Sequence, residues 1–298
     1  MAINLSIIII NFNTSDFLDQ CLQSIVQSRS SEEFEIIVVD NASTDGHSEM
    51  VKGKYPTINW IQNEKNAGFV SANNQAITKA RGMYLLFLNP DTEILDNGLG
   101  TLLDYLKNNS HVGVVGPQLL NSDRTFQHSY FSFPSFTSIF IEHILSARMM
   151  KWVEHPKPRS SFPLSVDVIR GACLMTRKSL IEKIGGMNEK MFMYSEETDL
   201  CYKIQGLQYS VQYIPTAQVI HHERKSMETQ ANSFVGYHYI RSKVLFLKEN
   251  YPFLKAKILV GLIKFSLIVK PIIFRIFGNH QKADYLASLK IQLAKERL

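Results

Sequence analysis

The first 120 residues alternate between two hydrophobic patterns. Residues Ser6–Ile10 form a nearly unbroken apolar run, the mark of a strand buried on both faces. Phe17, Leu18, Cys21, Leu22 and Ile25 then recur at helical spacing and predict a helix over 16–28. Glu35–Val39 reads as a second buried strand, and Ile58–Gln62 as a short third. A helix over Ser71–Arg81 leads to a fourth strand, Tyr84–Leu88, then to a helix over 97–108 and a strand at Val112–Val115. This alternation predicts an α/β fold, a mostly parallel sheet with helices on both faces. Ligands of such sheets bind beyond the carboxyl ends of the strands. Three polar clusters fall at those ends: Asn11–Asn13, Asp40–Asp45 and Asn89–Asp91.

Beyond residue 120 the character changes. Residues 121–166 are rich in Phe, Ser and Pro and read as a substrate-side excursion, with a helix over 137–152 and a loop over 154–163. A strand is predicted over 166–176, with Gly171 inside it marking a close backbone approach. A helix over 178–184 ends at Gly185-Gly186. Glu196–Gln205 reads as helix, Tyr209–Ile214 as strand, and Gln218–Ile220 as a strand running into His221-His222. From Tyr237 the pattern is helical. Residues 258–277 are apolar but broken by Lys264, Lys270, Pro271 and Arg275, which makes a poor membrane span. Lys257, Lys264 and Arg275 share one helix face, so the segment reads as a basic amphipathic helix lying in a membrane interface, with Ile263, Phe274 and Phe277 as inserting groups. The alternative is a packed helix that closes the domain.

Composition narrows the class. With 298 residues, 45% hydrophobic and 20% charged, the chain is globular and has material for a sizeable core. Its three cysteines are far apart, which excludes a disulfide framework or zinc ribbon as the organising device and favours a reducing, cytoplasmic setting. The N-terminal apolar run lacks a basic flank and reads as strand, not signal peptide. The formal charge is +5, but residues 251–298 hold nine Lys or Arg against two acids, so the rest of the chain is slightly acidic. That asymmetry speaks against nucleic acid as a partner and for a tail that meets an anionic membrane surface.

Candidate chemistry sits at the strand ends. Asp40 follows a buried strand, where a carboxylate can accept from a nucleobase or ribose, or simply order a turn. Asp91 ends another, where a carboxylate suits a divalent ion bridging a diphosphate. Glu196, Glu197 and Asp199 open a helix with more acids than capping needs, and adjacent like charges raise a carboxyl pKa towards the range of a general base. His221 or His222 is placed to complete a metal site with Asp91. No G-x-G-x-x-G or G-K-[ST] loop occurs, which excludes the usual dinucleotide and P-loop sites.

Eight motifs then appear in order: Ser6–Asn13, Val38–Gly46, Asn66–Phe69 with Asn73-Asn74, Leu86–Thr92, Gly171–Met175, Gly185–Glu189, Phe192–Cys201 and Val219–His222. Together, across about residues 4–226, they resemble the inverting glycosyltransferase family 2, and within it the bacterial rhamnosyltransferase-like branch. The resemblance implies a GT-A fold: a nucleotide-sugar half over 1–118 and an acceptor half over 119–236, followed by a basic helical tail over 237–298. It implies that Asn11, Asn13 and Asp40 line the base and ribose pocket, with Asn66, Gly68 and Asn73 near the nucleotide. Asn89 and Gly171 join this donor-binding set. Asp91 matches the last acid of an Asp-x-Asp metal motif whose first acid is here Asn89, and His221 matches a metal-holding histidine. Glu197 matches the catalytic base.

The implied reaction is one inverting displacement. A sugar, rhamnose by resemblance, leaves a dTDP-, UDP- or GDP-linked donor, with Mn²⁺ or Mg²⁺ as cofactor. The implied acceptor is a glycan or polyprenyl-linked sugar in bacterial surface polysaccharide synthesis, at the inner face of the cell membrane. Two other readings remain at this point. A sugar-nucleotide nucleotidyltransferase would carry a Gly-rich basic loop where Asn11–Thr14 stands. A non-catalytic sugar- or membrane-binding module would fit Asn89 but not the joint presence of Asp91, Glu197 and His221.

Overall fold

A computed structural model describes residues 3–28, 33–144, 160–223 and 232–296. The described chain divides into two compact units: Met1–Ser132 with Arg159–Phe192 and Glu196–Thr229, and Phe133–Pro158 with Met193–Ser195 and Gln230–Leu298.

In the first unit, β1 (Leu5–Asn11), α1 (Ser15–Gln27), β2 (Phe34–Asp40), β3 (Asn59–Gln62), α3 (Phe69–Lys79) and β4 (Tyr84–Leu88) follow the predicted alternation, and a short helix not predicted from the sequence, α2 (Ser48–Lys54), joins β2 to β3. β1 is buried at all seven positions, as its apolar run requires. β5 (Thr92–Ile94), α4 (Gly98–Asn108), β6 (Val112–Leu120) and β7 (Tyr130–Phe131) come next. The chain then enters α5 (Phe136–Ile144) of the second unit; the remainder of the helix predicted over 137–152 lies outside the described residues, as does most of the loop at 154–163. It returns through β8 (Leu164–Ser165), β9 (Val168–Ile169), β10 (Cys173–Arg177), α6 (Lys178–Ile184), α7 (Glu196–Gly206) and β11 (Ser210–His221).

The main sheet runs β3-β2-β1-β4-β10-β6-β11-β5, with β8 beside β11, and β7 pairs with β9 in a separate ribbon. β3, β2, β1 and β4 are mutually parallel, as are β6 and β11, while β10 and β5 run antiparallel to their neighbours. Ile7, Ile9, Leu18, Leu22, Val38, Leu86 and Leu103 share one core, so the helices cover the sheet because their apolar stripes have nowhere else to go. All three cysteines are free and buried.

Two expectations change. The strand predicted over 166–176 is two short strands, and Gly171 lies in the turn between them. The strands read as Tyr209–Ile214 and Gln218–Ile220 are one, β11, continuous across a register shift between Ile214 and Gln218. Pro215, which reads as a terminator in sequence, is tolerated at such an irregularity because no ladder hydrogen bond is asked of it there.

The second unit is helical: α5 with α8 (Asn232–Asn250), α9 (Phe253–Ile276) and α10 (His280–Lys295). α9 packs one face inward through Ala256, Leu259, Val260, Ile263, Ser266, Leu267 and Pro271. Ile263 is 1% exposed, so it is a core residue and not an inserting group. Phe274 is half-buried beneath the Lys282 ammonium, 4.7 Å from its ring, while Phe277 is open to solvent. Near the packed faces, Glu142 accepts from Lys243 Nζ at 2.6 and 2.7 Å and from Tyr239. Burial alone would push the Glu142 carboxyl up, but His143 and Lys243 hold it far below the ordinary range. No described helix is long and apolar enough to cross a membrane.

Candidate active site

Parallel strands deliver their last residues to one edge of a sheet. Asn11 and Asp40 end β1 and β2 in register, and the Asn11 amide donates to Asp40 Oδ2 at 2.8 Å. Asp40 also accepts from Ser48 Oγ at 2.6 Å, Ser43 N at 2.8 Å and Gln62 Nε2 at 2.9 Å. Burial by itself pushes the Asp40 carboxyl up; the hydrogen bonds, led by Ser48, outweigh it and hold the group below the usual carboxylate range. Asn13 adopts a left-handed φ of 57° and takes the Thr44 N–H on its Oδ1 at 2.6 Å, which ties the two strand-end loops together.

Asn41 extends the network. Its amide donates to Asn66 Oδ1 at 2.9 Å and to the Gly68 carbonyl at 3.3 Å, and its Oδ1 accepts from Asn63 and the Ala67 N–H, both at 3.0 Å. Gly68 sits at φ +90°, and a Cβ there would lie 2.7 Å from the Phe192 ring, so only glycine fits. Asn73 is buried on α3 and donates to the Phe69 carbonyl at 2.9 Å.

At the next strand end, Asn89 is half-buried and its N–H donates to the Ala172 carbonyl at 2.9 Å, beside Gly171. A Cβ on Gly171 would touch the Glu197 side chain at 3.7 Å, an ordinary contact distance. Glu196 and Glu197 open α7, and each has a buried Oε2 without a hydrogen-bond partner. Asp199, the third acid of the turn, pairs with Lys203 Nζ at 2.6 Å. Burial, and then the charge of Glu197, push the Glu196 carboxyl well up. Burial also raises Glu197, opposed by the nearby Arg170 guanidinium. The pair therefore shares protons over a raised range, and Glu197, with a cation beside it, is the member favoured to ionise first.

Asp91 is 7% exposed, and its Oδ1 lies 3.4 Å from His221 Nε2. His221 Nδ1 is 2.8 Å from Gln127 Oε1. His222 is engaged elsewhere: Nε2 meets Glu93 at 2.7 Å and Nδ1 meets Ser122 at 2.7 Å. His222 meets Asp91 only through its backbone, its N–H donating to the Asp91 carbonyl at 2.9 Å, so among the described residues His221 is the histidine whose ring faces the Asp91 carboxylate. No group of three or more His, Cys, Asp or Glu side chains with metal-ligand geometry occurs among the described residues. One carboxylate and one imidazole nonetheless fit a Mn²⁺-type ion that completes its shell with diphosphate oxygens, since such ions are commonly held by few protein ligands plus substrate phosphates.

Sequence reasoning missed Asn41, Gln127 and Arg170. Asn41 lay within a flagged polar cluster. Gln127 carries no local signature, because its partner is 94 residues away.

Residues 6–185 match the sequence profile of Glycosyl transferase family 2. The chain belongs to that family. Over 262 residues, 83% of this chain and 85% of the relative, it is 23% identical to an N-acetylglucosaminyl-diphospho-decaprenol L-rhamnosyltransferase of Mycobacterium tuberculosis. It is 24% identical to the rhamnosyltransferase WbbL of Escherichia coli, over 76% of this chain and 87% of that one. Among solved structures, the mannosyltransferase PcManGT of Pyrobaculum calidifontis, in complex with GDP-Man and Mn²⁺, superposes with a TM-score of 0.58 at 14% identity, covering 98% of this chain and 75% of that one. GalNAc-T7 with UDP, GalNAc and Mn²⁺ gives 0.59 at 13% identity, covering 89% of this chain and 55% of that one. These likenesses fix the GT-A fold.

Proposed function

We propose that this family 2 member is an inverting glycosyltransferase that moves a deoxyhexose, rhamnose by analogy with its relatives, from a nucleotide-sugar donor. The acceptor is a glycan or polyprenyl-linked sugar of bacterial surface polysaccharide synthesis, met at the cytoplasmic surface of the membrane that holds it. The observation that carries the reading is the half-buried Glu196–Glu197 pair, with Glu197 beside Gly171 and a buried oxygen on each carboxyl left unpartnered by the protein. Leaving such groups unsatisfied costs about 1–3 kcal/mol each, a cost that substrate groups offset on binding.

In this mechanism Glu197 takes the proton from the acceptor hydroxyl. The hydroxyl oxygen attacks the anomeric carbon from the face opposite the nucleotide. The anomeric C–O bond breaks, and its electron pair leaves with the nucleoside diphosphate, so configuration inverts. Asn11, Asn13 and Asp40 preform the wall against base and ribose, with Asn66, Gly68 and Asn73 shaping the loop beside it. Asn89 and Gly171 leave room for the sugar. Asp91 and His221 would hold Mn²⁺ or Mg²⁺, which when bound supplies charge neutralisation for the departing diphosphate.

The test is a donor panel. dTDP-, UDP- and GDP-sugars are incubated with the protein, Mn²⁺ and a polyprenyl-diphosphate sugar, and transfer is followed by mass spectrometry. Transfer from dTDP-rhamnose supports the full reading. Transfer from a UDP-sugar alone removes rhamnose and leaves the glycosyltransferase. No transfer from any donor, with nucleotide bound, favours a binding module.

A further inference from the structure

The helix α9 is apolar on two opposite sides. One side packs into the second unit, as described above. On the other, Leu254, Ile258, Phe265, Ile268, Ile272 and Ile276 are exposed. At 3.6 residues per turn these six fall within an arc of about 80°, centred opposite the packed row. Lys257 and Lys264, about two turns apart, line one margin of that arc, followed by Arg275, which pairs with Asp284 at 2.8 Å. Phe253, 81% exposed, stands at the helix start, with the Lys257 ammonium 5.9 Å from its ring. A soluble helix presents charge on its outer face; this one presents a long aliphatic strip with cations along its edge. The strip is too short of uninterrupted apolar length to span a bilayer.

We propose that this outward face of α9 docks on an anionic phospholipid leaflet, its aliphatic strip entering the acyl boundary and Lys257 and Lys264 meeting lipid phosphates. The proposal rests on the membrane-held acceptor of the preceding section, but its residues are read from α9 alone, and the face differs from the one containing Ile263. The charge pattern selects this occupant, because a second copy of the same face would bring like cations together.

The test uses the full chain and flotation with phosphatidylcholine vesicles, with and without phosphatidylglycerol. The wild type should bind only the anionic vesicles. The triple variant Ile258→Gln/Phe265→Gln/Ile272→Gln, all exposed and hence expected to fold by circular dichroism, should bind at least about tenfold more weakly. Lys257→Gln/Lys264→Gln should weaken binding about thirtyfold at low salt and less at high salt. A wild type that ignores anionic vesicles overturns both this face and the membrane reading. A wild type that binds while the triple variant binds equally overturns the face alone. Dimerisation that the triple variant abolishes, without vesicle binding, would give the face to a second copy. None of these readouts involves turnover, so loss of the glycosyltransferase reading would leave them standing.

A different observation carries a second inference, in the first unit. The Gln127 amide nitrogen donates to the His221 carbonyl at 3.0 Å, to Asn121 Oδ1 at 3.0 Å and to Glu223 Oε2 at 3.3 Å. A backbone carbonyl can only accept, so the amide orientation is fixed. Gln127 Oε1 is then left to receive the proton on His221 Nδ1, and His221 Nε2 faces Asp91 Oδ1 at 3.4 Å. Arg170 bonds the other carboxyl oxygen of Glu223 and steadies the chain from the far end. The geometry points to Gln127 as a positioning residue that presents His221 Nε2 to the divalent ion of the proposed reaction.

Binding of Mn²⁺, alone and with UDP, dTDP or GDP, is read from loss of the free-ion electron paramagnetic resonance signal, without turnover. Gln127→Met should weaken binding about 10–100-fold, and His221→Ala at least as much. The conservative variant Gln127→Glu keeps an acceptor for Nδ1–H but loses the donor to the His221 carbonyl, and should bind Mn²⁺ with an affinity between those of wild type and Gln127→Met. Gln127→Met that binds like wild type while His221→Ala is weakened overturns the positioning role alone. His221→Ala that binds like wild type removes His221 as a ligand and the inference with it. A Gln127→Glu variant as weak as Gln127→Met makes Gln127 a packing residue only.

Discussion

Two carboxylate clusters in the first unit are built in opposite ways. Asp40 accepts four hydrogen bonds from Asn11, Ser43, Ser48 and Gln62, and they hold its carboxyl below the ordinary range despite burial. Glu196 and Glu197 each keep a buried oxygen without a partner, and burial drives both carboxyls up. A fold satisfies buried polar groups wherever it can, because an orphan costs stability. The Asp40 cluster is therefore a finished wall, and the Glu pair is an unfinished site that a substrate completes. The first stabilises the protein, and the second is held at the protein's expense.

The largest expected effect tests the unfinished side. Glu197→Gln should lower turnover about 10²–10⁴-fold while nucleotide-sugar affinity stays as in wild type, the loss associated with a general base. If Glu196→Gln is inactive and Glu197→Gln is not, the base is one residue earlier. Next, Asp91→Ala should weaken Mn²⁺-dependent donor binding about tenfold or more and leave binding in EDTA unchanged, read by calorimetry with and without metal. Full activity in EDTA would remove the metal from the account.

The finished side predicts a stability effect. Asp40→Asn exchanges a charged acceptor for an amide facing donors and should cost about 1–3 kcal/mol in urea unfolding. Its sign with pH follows from the lowered carboxyl: the contribution is present above the ordinary aspartate range and is lost as pH falls through the native value. The Glu pair has the reverse sign. A raised carboxyl stabilises fully below the unfolded value, and that advantage is lost as pH rises through the native one. The smallest effect follows: at pH 7 Glu196→Gln should stabilise the protein by about 1 kcal/mol, seen as a higher Tm. A lower Tm would mean that the two clusters are not opposites.

Much of this contrast was legible in the sequence. The strand Tyr84–Leu88 and the helix 178–184 read with the bounds they have, because an apolar run between turn residues, and a Gly-Gly stop, are local signals. Asp40, Asp91 and Glu197 stood out because strand ends and helix starts concentrate polar residues that packing does not need. What was illegible is non-local. β6 runs through Gly116 and Pro117 to Leu120, since its partner β11 carries the compensating irregularity. Gln127 meets His221 only through the fold, and Ile263 faces inward because helices from distant segments of the second unit cover it, which its own stretch of sequence does not show. Whether a carboxylate is satisfied, as Asp40 is and Glu197 is not, depends on neighbours brought from distant segments.

The central claim is that the carboxyl of Glu197, whose buried Oε2 has no protein partner, takes the acceptor proton in a single displacement at the anomeric carbon. The most direct measurement is the anomeric configuration and initial rate of the product, by ¹H nuclear magnetic resonance, for wild type and Glu197→Gln with the donor selected by the panel. The account predicts an inverted anomeric centre made by the wild type, and turnover about 10²–10⁴-fold lower, with unchanged donor affinity, in the variant. A retained configuration, or a Glu197→Gln enzyme that turns over like wild type, would contradict it.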